Sequence, residues 1–363
     1  MKQYNSWGLF PKYAPSKVVQ LFWRNEIPEM LSWNASLLPY GLGKSYGDVC
    51  LNDNGILIDC IRLNHFIYFD RQQGILCCES GVTLKSILEL VVPCGWFLPV
   101  VPGTQLITVG GAIANDVHGK NHHRSGTFGR YVLRFELLRS NGERIICSPT
   151  VNAELYRATI GGLGLTGVIL WAEIQLIPIK SPFLNVEFIK FASLDDFFSI
   201  NEESEHFFDY TVAWLDFSNG GINRVRGIFQ RANFAERETD LKTSGSKSIK
   251  IPFPFPLSLI NNASVFLFNF LYYNKQSEER RSAFIHFEKF FFPLDKIYNW
   301  NYIYGKNGFL QYQFVIPFKN GRATLVNFIN TCKKLNLYSF LTVLKTFGKM
   351  TSPGLLSFPM EGI

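Results

Sequence analysis

Short hydrophobic runs bounded by turn residues fill the first half of the chain and predict β-strands. These runs are residues 55–60, 65–70 and 74–81. Residues 83–95 have a helical spacing of apolar positions instead, with Thr83 as the predicted cap and an end at the proline and glycine that close the run. Residues 16–24 and 25–32 are also predicted to be helical.

Turn chemistry organises the next stretch. Asn141-Gly142 lies between two apolar runs and predicts a β-hairpin, and residues 153–159 predict a helix followed by a strand at 168–179. The glycines between them match the dinucleotide pattern GxGxxG at Gly162, Gly164 and Gly167. That motif needs a strand before the glycines and a helix after them. The order here is reversed, so the pattern favours a tight helix-to-strand turn beside a ligand over a nicotinamide site.

Composition changes near residue 180, from glycine-rich to aromatic, and predicts two domains, 1–180 and 181–363. In the second domain the pattern predicts strands at 211–217, 308–318 and 338–348, with helices at 277–291 and 320–336. Together these elements predict an α+β domain whose sheet is covered by helices on one face. Gln311 and Gln313 share a face of the middle strand, where their amides suit a polyhydroxy ligand or solvent.

Residues 102–130 hold six glycines and three of the six histidines. This density predicts a ligand-binding segment outside the core, since glycine lets backbone N–H groups approach an anion. A second glycine-rich turn resembles the end of a P-loop, but the first glycine of that motif would fall at Leu38, so we reject nucleoside triphosphate binding. Residues of this turn that can line a diphosphate are Gly41, Gly43, Lys44, Ser45, Tyr46 and Gly47.

Charge and cysteine content narrow the class of protein. The net charge of +7 contains no block of like charges, which argues against nucleic acid and leaves a weak preference for anionic substrates or lipids. The seven cysteines lack metal or redox spacing and predict free thiols in a reducing compartment. Without a secretory signal pattern or a membrane-spanning apolar run, the chain is expected to be cytoplasmic or peripheral to the inner membrane.

With these motifs assembled, the chain resembles the flavin-dependent decaprenylphosphoryl-β-D-ribose oxidases, within the broader vanillyl-alcohol-oxidase-like group. The resemblance rests on GLGKSYGD, PGTQLITVGGAIANDVHGKNHH, GGLGLTGVI, AWLDF, GFLQYQFVIP and YSFLTVLKTFG. It implies an α+β protein: a PCMH-type FAD-binding domain of two subdomains, then an α+β substrate domain with an antiparallel sheet. It also implies that the C-terminal end of this family pattern is missing, so we expect impaired catalysis.

The same resemblance assigns residues to roles. Those implied to contact FAD are Gly41, Gly43, Lys44, Ser45, Tyr46, Gly47, Gly103, Thr108, Val109, Gly110, Gly111, Asn115, Asp116, Val117, His118 and Ile169. Those implied to be catalytic are Tyr46, His118, Lys120 and Lys345, and those implied to bind substrate are Trp214, Gln311, Gln313, Lys345 and Phe347. Lys120 and Lys345 are each candidates to stabilise reduced flavin or to pair with a substrate phosphate. No metal is predicted, because no carboxylate or thiol completes a ligand set around His118, His122 and His123.

The implied reaction oxidises the 2′-hydroxyl of a lipid-linked ribose to a ketone, with non-covalent FAD as cofactor and a short-chain reductase as partner. The alternatives are an oxidase of a free sugar, sugar alcohol or sugar lactone, and a non-catalytic remnant of the fold. Residues 251–273 are rich in aromatics and proline. They predict either a mobile or membrane-facing flap over the substrate pocket or a core helix at 263–273.

Overall fold

The computed structural model describes residues 3–26, 33–218, 220–221, 224–241 and 248–363. The strands of the N-terminal half, up to residue 180, are β1 (Lys17–Gln20), β2 (Leu37–Tyr40), β3 (Ile56–Asp59), β4 (Phe66–Asp70), β5 (Ile75–Glu79), β6 (Trp96–Phe97), β7 (Val132–Leu138), β8 (Arg144–Cys147), β9 (Val168–Gln175) and β10 (Ile177–Pro178). Its helices are α1 (Leu84–Val91), α2 (Val109–Ala114), α3 (His122–Ser125) and α4 (Ala153–Thr159).

The C-terminal half begins at residue 181. Its strands are β11 (Phe183–Phe191), β12 (Tyr210–Asp216), β13 (Arg226–Phe234), β14 (Ile249–Lys250), β15 (Arg280–His286), β16 (Ile297–Tyr298) and β17 (Val343–Leu344). Its helices are α5 (Leu194–Glu205), α6 (Asn262–Asn274), α7 (Phe287–Phe291) and α8 (Phe318–Lys334). These elements confirm the predicted α+β class.

A parallel sheet in the order β1-β3-β2 opens the N-terminal half. Strand β3 is buried along its whole length and pairs with Val18 and Val19 of β1. The helix predicted for residues 16–24 is therefore wrong, because these β-branched residues gain a buried strand as a neighbour. Most of the second predicted helix, at 25–32, lies outside the described residues.

The larger N-terminal sheet is antiparallel, in the order β4-β5-β9-β7-β8. Strands β7 and β8 form the hairpin predicted around Asn141-Gly142. Helix α1 begins as predicted, with the Thr83 hydroxyl accepting a hydrogen bond from the Ser86 N–H at 3.0 Å. The predicted helix-to-strand turn is confirmed as well, since α4 ends at Thr159, β9 begins at Val168, and the glycines lie between them.

The glycine-rich segment 102–130 differs from its prediction in one respect: part of it is core. Val109, Ala112 and Ile113 of α2 are buried, and so are Thr127 and Phe128. Helix α2 packs its apolar face towards β9 and turns its glycine face to the cavity described below. The expectation that the segment lies outside the core is wrong, because a short helix inside it has two distinct faces.

The C-terminal sheet is antiparallel, in the order β15-β11-β13-β12-β17. Phe197 of α5 and Leu325 of α8 pack with Phe229 of β13 in one hydrophobic cluster. Among the described strands, each of the two large sheets contains only strands from one side of residue 180. The main N-terminal cluster nevertheless includes side chains of the C-terminal half, such as Phe287 and Phe291. The boundary at residue 180 therefore stays a prediction.

Three elements of the C-terminal half depart from the pattern. The helix predicted at 277–291 is a strand, β15, followed by the short α7, because β15 pairs with β11 from Ile189 to Phe183. Residues 308–317 form no strand, so Gln311 and Gln313 do not share a strand face. Only Val343 and Leu344 of the strand predicted at 338–348 pair in the sheet. The helix predicted at 320–336 is confirmed by α8.

Helix α6 lies within the aromatic segment 251–273. It buries Val265 and Asn269 while its other residues stay wholly or partly exposed, so the alternative of a core helix is wrong. None of the described helices has the length and apolar character needed to cross a membrane.

Candidate active site

A cavity of about 1640 Å3 lies between the two halves of the chain. Its walls come from the glycine-rich segments of the N-terminal half and from the sheet, α6 and α7 of the C-terminal half. A pocket for a single small ligand is typically 300–1000 Å3. The volume therefore suits a large cofactor together with a second ligand.

The two glycine-rich segments meet at one wall of this cavity. A Cβ on Gly41 would lie 2.6 Å from the Thr108 hydroxyl oxygen, and Gly43 has a positive φ of 59°. Thr108 is the N-cap of α2, and its hydroxyl accepts a hydrogen bond from the Gly111 N–H at 3.2 Å. Glycine at residue 41 thus lets the first segment pass directly over the start of α2.

Space beside this wall fits the FAD that the resemblance implies. A Cβ on Gly103 would meet no atom within 4 Å, and one on Gly111 would meet only the Thr108 hydroxyl, at 3.1 Å. Both glycines line the cavity, so the space that side chains would fill is left for a ligand. Lys44 adds a cation to the same wall, 3.5 Å from the centre of the Trp7 ring. Backbone groups and a cation of this kind suit a ligand that carries two phosphates.

One carboxyl group faces this wall, which the sequence analysis did not foresee. Among the described residues that line the cavity, Asp295 is the acidic one. Its oxygens accept hydrogen bonds from the Thr104 hydroxyl at 2.6 Å and from the Gln105 N–H at 2.9 Å. Burial raises the pKa of Asp295 and lowers the pKa of Lys44 to about 8. Asp295 therefore joins the two halves at the edge of the cavity.

His118 is the centre of a hydrogen-bonded group inside the cavity. Its Nδ1 lies 2.9 Å from Lys345 Nζ, and its Nε2 lies 3.0 Å from the Gln313 side-chain amide. The Phe347 ring packs against its face at 4.9 Å between ring centres. Burial, with a contribution from the charge on Lys345, lowers the pKa of His118 well below its usual range. His118 is therefore neutral at physiological pH and carries its proton on one nitrogen.

The protonation state of Lys345 decides which nitrogen that is. Burial lowers the pKa of Lys345 to about 8, so both forms are accessible near neutral pH. A Lys345 ammonium donates to Nδ1, which leaves the proton on Nε2 and calls for the amide oxygen of Gln313 as acceptor. A neutral Lys345 amine accepts from Nδ1–H, and Nε2 then accepts from the Gln313 NH2 group. Protonation of Lys345 thus moves the proton of His118 from Nδ1 to Nε2.

Lys120 supplies a second buried amine. Its Nζ donates to the Phe290 carbonyl oxygen and lies 4.1 Å from the centre of the Phe290 ring. Its own carbonyl oxygen accepts the Thr211 N–H of β12 at 2.8 Å, which holds this residue at the junction of the halves. Burial first, and repulsion from Lys345 second, lower the pKa of Lys120 to about 7.

These two lysines each contribute a stability term that rises with pH. Lysine in the unfolded chain keeps its proton up to about pH 10.4, so between pH 7 and 9 each of them binds more protons in the unfolded state than in the folded state. Burial raises the pKa of the Cys60 and Cys78 thiols, which contribute in the opposite direction, so the lysine term is measured as a difference between variants. From pH 7 to 9, the rise in the free energy of unfolding of the cofactor-free wild type, measured by urea unfolding, is expected to exceed that of Lys120→Met or of Lys345→Met by on the order of 1 kcal/mol. The exposed Lys250→Met should follow the wild type; a Lys120→Met or Lys345→Met profile that runs parallel to the wild type would contradict the prediction.

Most of the residues assigned from the sequence line this one cavity. They include every residue proposed for catalysis or substrate binding, and all proposed FAD residues apart from Gly47, Val109 and Asp116. Val109 packs in the core, while Gly47, at a positive φ of 86°, takes part in the turn that shapes the wall. Trp214 donates its indole N–H to the Phe340 carbonyl oxygen at 2.9 Å, which fixes its ring at the cavity edge.

The Asp116 carboxylate does not line the cavity and joins three segments by hydrogen bonds: its own, the one at residue 129 and the one at residues 352–357. It accepts the Gly129 N–H at 2.8 Å, the Ser357 hydroxyl at 2.6 Å and the Ser352 hydroxyl. Asp116 is fully buried and has a positive φ of 41°. Its proposed direct contact with FAD is not supported by this position. It instead holds the backbone that leads to His118.

The other two histidines of the segment are directed elsewhere. His123 Nε2 lies 2.9 Å from the Phe208 carbonyl oxygen. His122 is buried with its ring 4.4 Å from that of Phe347, and burial lowers its pKa to about 4. Phe347 thus packs against the rings of both His118 and His122.

Sequence reasoning missed several cavity residues of the C-terminal half. Asp295 and Phe290 belong to no recognisable sequence motif, because each acts through contacts made across the two halves. Phe268 and Tyr272 belong to the aromatic run that the sequence did show. Their helical spacing could have indicated that one side of that run faces the cavity.

Comparison with known proteins agrees with this site. Residues 20–148 match the model of the FAD binding domain family. Decaprenylphosphoryl-β-D-ribose oxidase of Mycolicibacterium smegmatis is 35% identical over 332 residues, which are 89% of this chain and 72% of that protein. Human Δ(24)-sterol reductase is 32% identical over 120 residues, 33% of this chain and 23% of that protein. L-gulonolactone oxidase of Scyliorhinus torazame is 26% identical over 180 residues, 48% of this chain and 40% of that protein.

The predicted cofactor and fold are thereby confirmed. The chain has a PCMH-type FAD-binding domain, and FAD is its cofactor. The relatives named above are oxidases or reductases by name, and the M. smegmatis oxidase matches 89% of this chain. The chain therefore belongs to the decaprenylphosphoryl-β-D-ribose oxidase family of FAD-dependent oxidoreductases.

Proposed function

We propose that this protein oxidises the 2′-hydroxyl of a polyprenylphosphoryl ribose to a ketone. The observation that carries the proposal is the group of Lys345, His118 and Gln313, which meets inside a cavity whose other wall fits FAD. Oxidation of an alcohol removes a hydride from carbon and a proton from oxygen. Bound FAD supplies the hydride acceptor, and the chain must supply a group that takes the proton.

His118 and Lys345 are suited to take that proton. His118 is neutral, and Lys345 has its pKa lowered to about 8 by burial, so this pair can accept a proton near neutral pH. A hydroxyl proton taken by one nitrogen of His118 can be matched by release from the other nitrogen to a neutral Lys345. In this structure the Gln313 amide lies at the other ring nitrogen, Nε2. The sugar hydroxyl would take the place of this amide at Nε2 and be deprotonated there by His118, with Lys345 behind it at Nδ1.

Lys120 is then the residue we assign to an anionic group. Among the described residues, the Phe290 carbonyl oxygen accepts one hydrogen bond from Lys120 Nζ, and an ammonium group has further N–H donors for another acceptor. Binding a phosphate next to Lys120 would raise its pKa from about 7 and keep it charged. This assigns the phosphate to Lys120 and the sugar proton to His118 and Lys345. The keto product would pass to a short-chain reductase, and the lipid would place the protein at a membrane surface.

Anaerobic stopped-flow measurement of flavin absorbance at about 450 nm tests the substrate. Purified protein would be mixed with polyprenylphosphoryl-β-D-ribose, free ribose or L-gulono-1,4-lactone. We expect rapid bleaching with the lipid-linked ribose alone, and a 2-keto product by mass spectrometry. Bleaching by the free lactone, with none by the lipid-linked sugar, would replace this proposal with the sugar-lactone oxidase alternative.

A further inference from the structure

Helix α6 exposes an unusually apolar surface. Phe266, Leu267, Phe270 and Leu271 are between 45% and 58% exposed. In water such a group of side chains is costly, and a contiguous apolar surface on a protein usually marks an interaction site. The buried Asn269 holds α6 to the protein, and the Asn261 capping box stabilises its first turn. Neither contact accounts for the exposure of these apolar side chains.

The neighbouring segment 335–343 extends this surface. Asn269 Nδ2 donates to the Ser339 carbonyl oxygen at 3.2 Å, and Asn262 Nδ2 donates to the Asn336 carbonyl oxygen at 3.1 Å. These bonds hold the segment beside α6. Its exposed apolar side chains are Leu335, Leu337, Leu341 and Val343. We call α6 and residues 335–343 together the apolar rim.

The apolar rim continues into the cavity. Phe268, Tyr272, Leu337 and Leu341 line the cavity as well as belonging to the rim. Tyr272 packs edge-on against Trp214, with ring centres 4.7 Å apart. One side of α6 is therefore a wall of the cavity, and the other side is the exposed surface. A long apolar chain that left the cavity past Tyr272 would come out on this surface.

Basic residues are concentrated in the two stretches of sequence that contain the apolar rim. Residues 241–277 and 296–360 together contain 12 lysines and arginines and no aspartate or glutamate, whereas the remaining 261 residues contain 24 basic and 29 acidic residues. These two stretches therefore carry a net charge of +12, and the rest of the chain carries −5. Lys275 and Lys334 are exposed and directly adjoin the apolar rim in sequence, and the exposed Lys250 directly precedes the aromatic segment 251–273. Apolar side chains bordered in sequence by lysines are typical of surfaces that bind anionic lipid.

We infer that the apolar rim docks on an anionic lipid bilayer, with the mouth of the cavity facing the membrane. Helix α6 has 13 residues and is too short to span a bilayer, which takes about 20, so it lies in the interface with its outer residues among the acyl chains. The proposal that the substrate is lipid-linked, on which this inference partly rests, gives the orientation a purpose. A polyprenyl chain could remain in the membrane while its sugar phosphate reached Lys120 and His118.

Vesicle flotation of the holoenzyme tests the surface without reference to catalysis. We expect wild-type protein to float with vesicles of phosphatidylglycerol and phosphatidylcholine, and to float less with phosphatidylcholine alone or in high salt. The variant Leu267→Glu/Leu271→Glu changes two rim residues that do not line the cavity. Its binding should fall at least about tenfold. The matched control Val151→Glu/Phe207→Glu adds the same two charges at exposed apolar positions outside the rim and should float like the wild type.

The outcomes separate this inference from the proposed function. Wild-type protein that stays with the soluble fraction at low salt, or a rim variant that floats like the wild type, would overturn the docking surface even if flavin is still reduced by substrate. Flotation that depends on the rim, without flavin reduction by any polyprenylphosphoryl ribose, would sustain the surface and reject the substrate. A rim variant should also keep wild-type flavin reduction by a short-chain, water-soluble phosphoribosyl lipid, which shows that it is folded.

Discussion

A Gly111→Val variant is expected to purify without FAD while remaining folded. Gly111 lines the cavity, and a Cβ there meets only the Thr108 hydroxyl, at 3.1 Å, so the two methyl groups of valine would project into space that the cofactor needs. The backbone of Gly111 is helical and compatible with valine, and the Thr108 hydroxyl would have to shift slightly to make room for the Cβ. Flavin content from the ratio of visible to ultraviolet absorbance, with circular dichroism for the fold, measures this effect.

The matched control is Gly221→Val. A Cβ on Gly221 meets no atom within 4 Å, and this exposed glycine is outside the cavity. It should keep its full complement of FAD. If Gly111→Val retained stoichiometric FAD after dialysis, the wall formed by residues 41 and 111 would not be the cofactor wall.

Replacing Lys345 with methionine is expected to slow reduction of the flavin by substrate by roughly 10²- to 10³-fold, the usual contribution of a positioned proton-transfer group. Methionine keeps the length and apolar contacts of the side chain but removes the amine 2.9 Å from His118 Nδ1. The visible spectrum of the bound flavin should persist, because the substitution lowers the rate of flavin reduction and does not remove the cofactor. Losing the neighbouring positive charge should also raise the pKa of His118 towards its usual range, so the pH profile of the remaining activity should shift.

Lys349→Met provides the comparison, because Lys349 is exposed and lies four residues further along the same segment. It should reduce its flavin at the wild-type rate. Loss of FAD from Lys345→Met would instead make this lysine a cofactor ligand. An unchanged rate of reduction would show that His118 does not need the amine behind it.

Local signals in the sequence predicted the N-terminal half well. The Asn141-Gly142 hairpin, the Thr83 cap of α1 and the turn before β9 are all determined by residues within a few positions of each other. The glycines of residues 102–130 correctly indicated a ligand site for the same reason. What they did not reveal is that α2 turns its other face into the core, because that depends on the contact with β9.

Predictions failed where a distant partner decides the conformation. Residues 277–291 have a helical spacing of charged and apolar positions, yet Arg280–His286 is held as a strand by pairing with β11, about a hundred residues earlier. Residues 308–317 show the alternation of a strand but find no strand partner among the described residues. Gln313 reaches His118 all the same, so its site role came from the family resemblance and not from the strand face.

The three segments joined by Asp116 set an order of events during synthesis. Ser357 follows Asp116 by 241 residues, which takes a ribosome on the order of 10 to 50 s at about 5–20 residues per second. Throughout that interval the emerging FAD-binding segment has a buried carboxylate without two of its hydroxyl donors, and the cavity lacks the wall that carries Lys345. Stable capture of the cofactor must therefore wait until residues 345–357 have been synthesised. Ribosome-bound fragments that stop before residue 352 should emerge without flavin, however much FAD the cell contains.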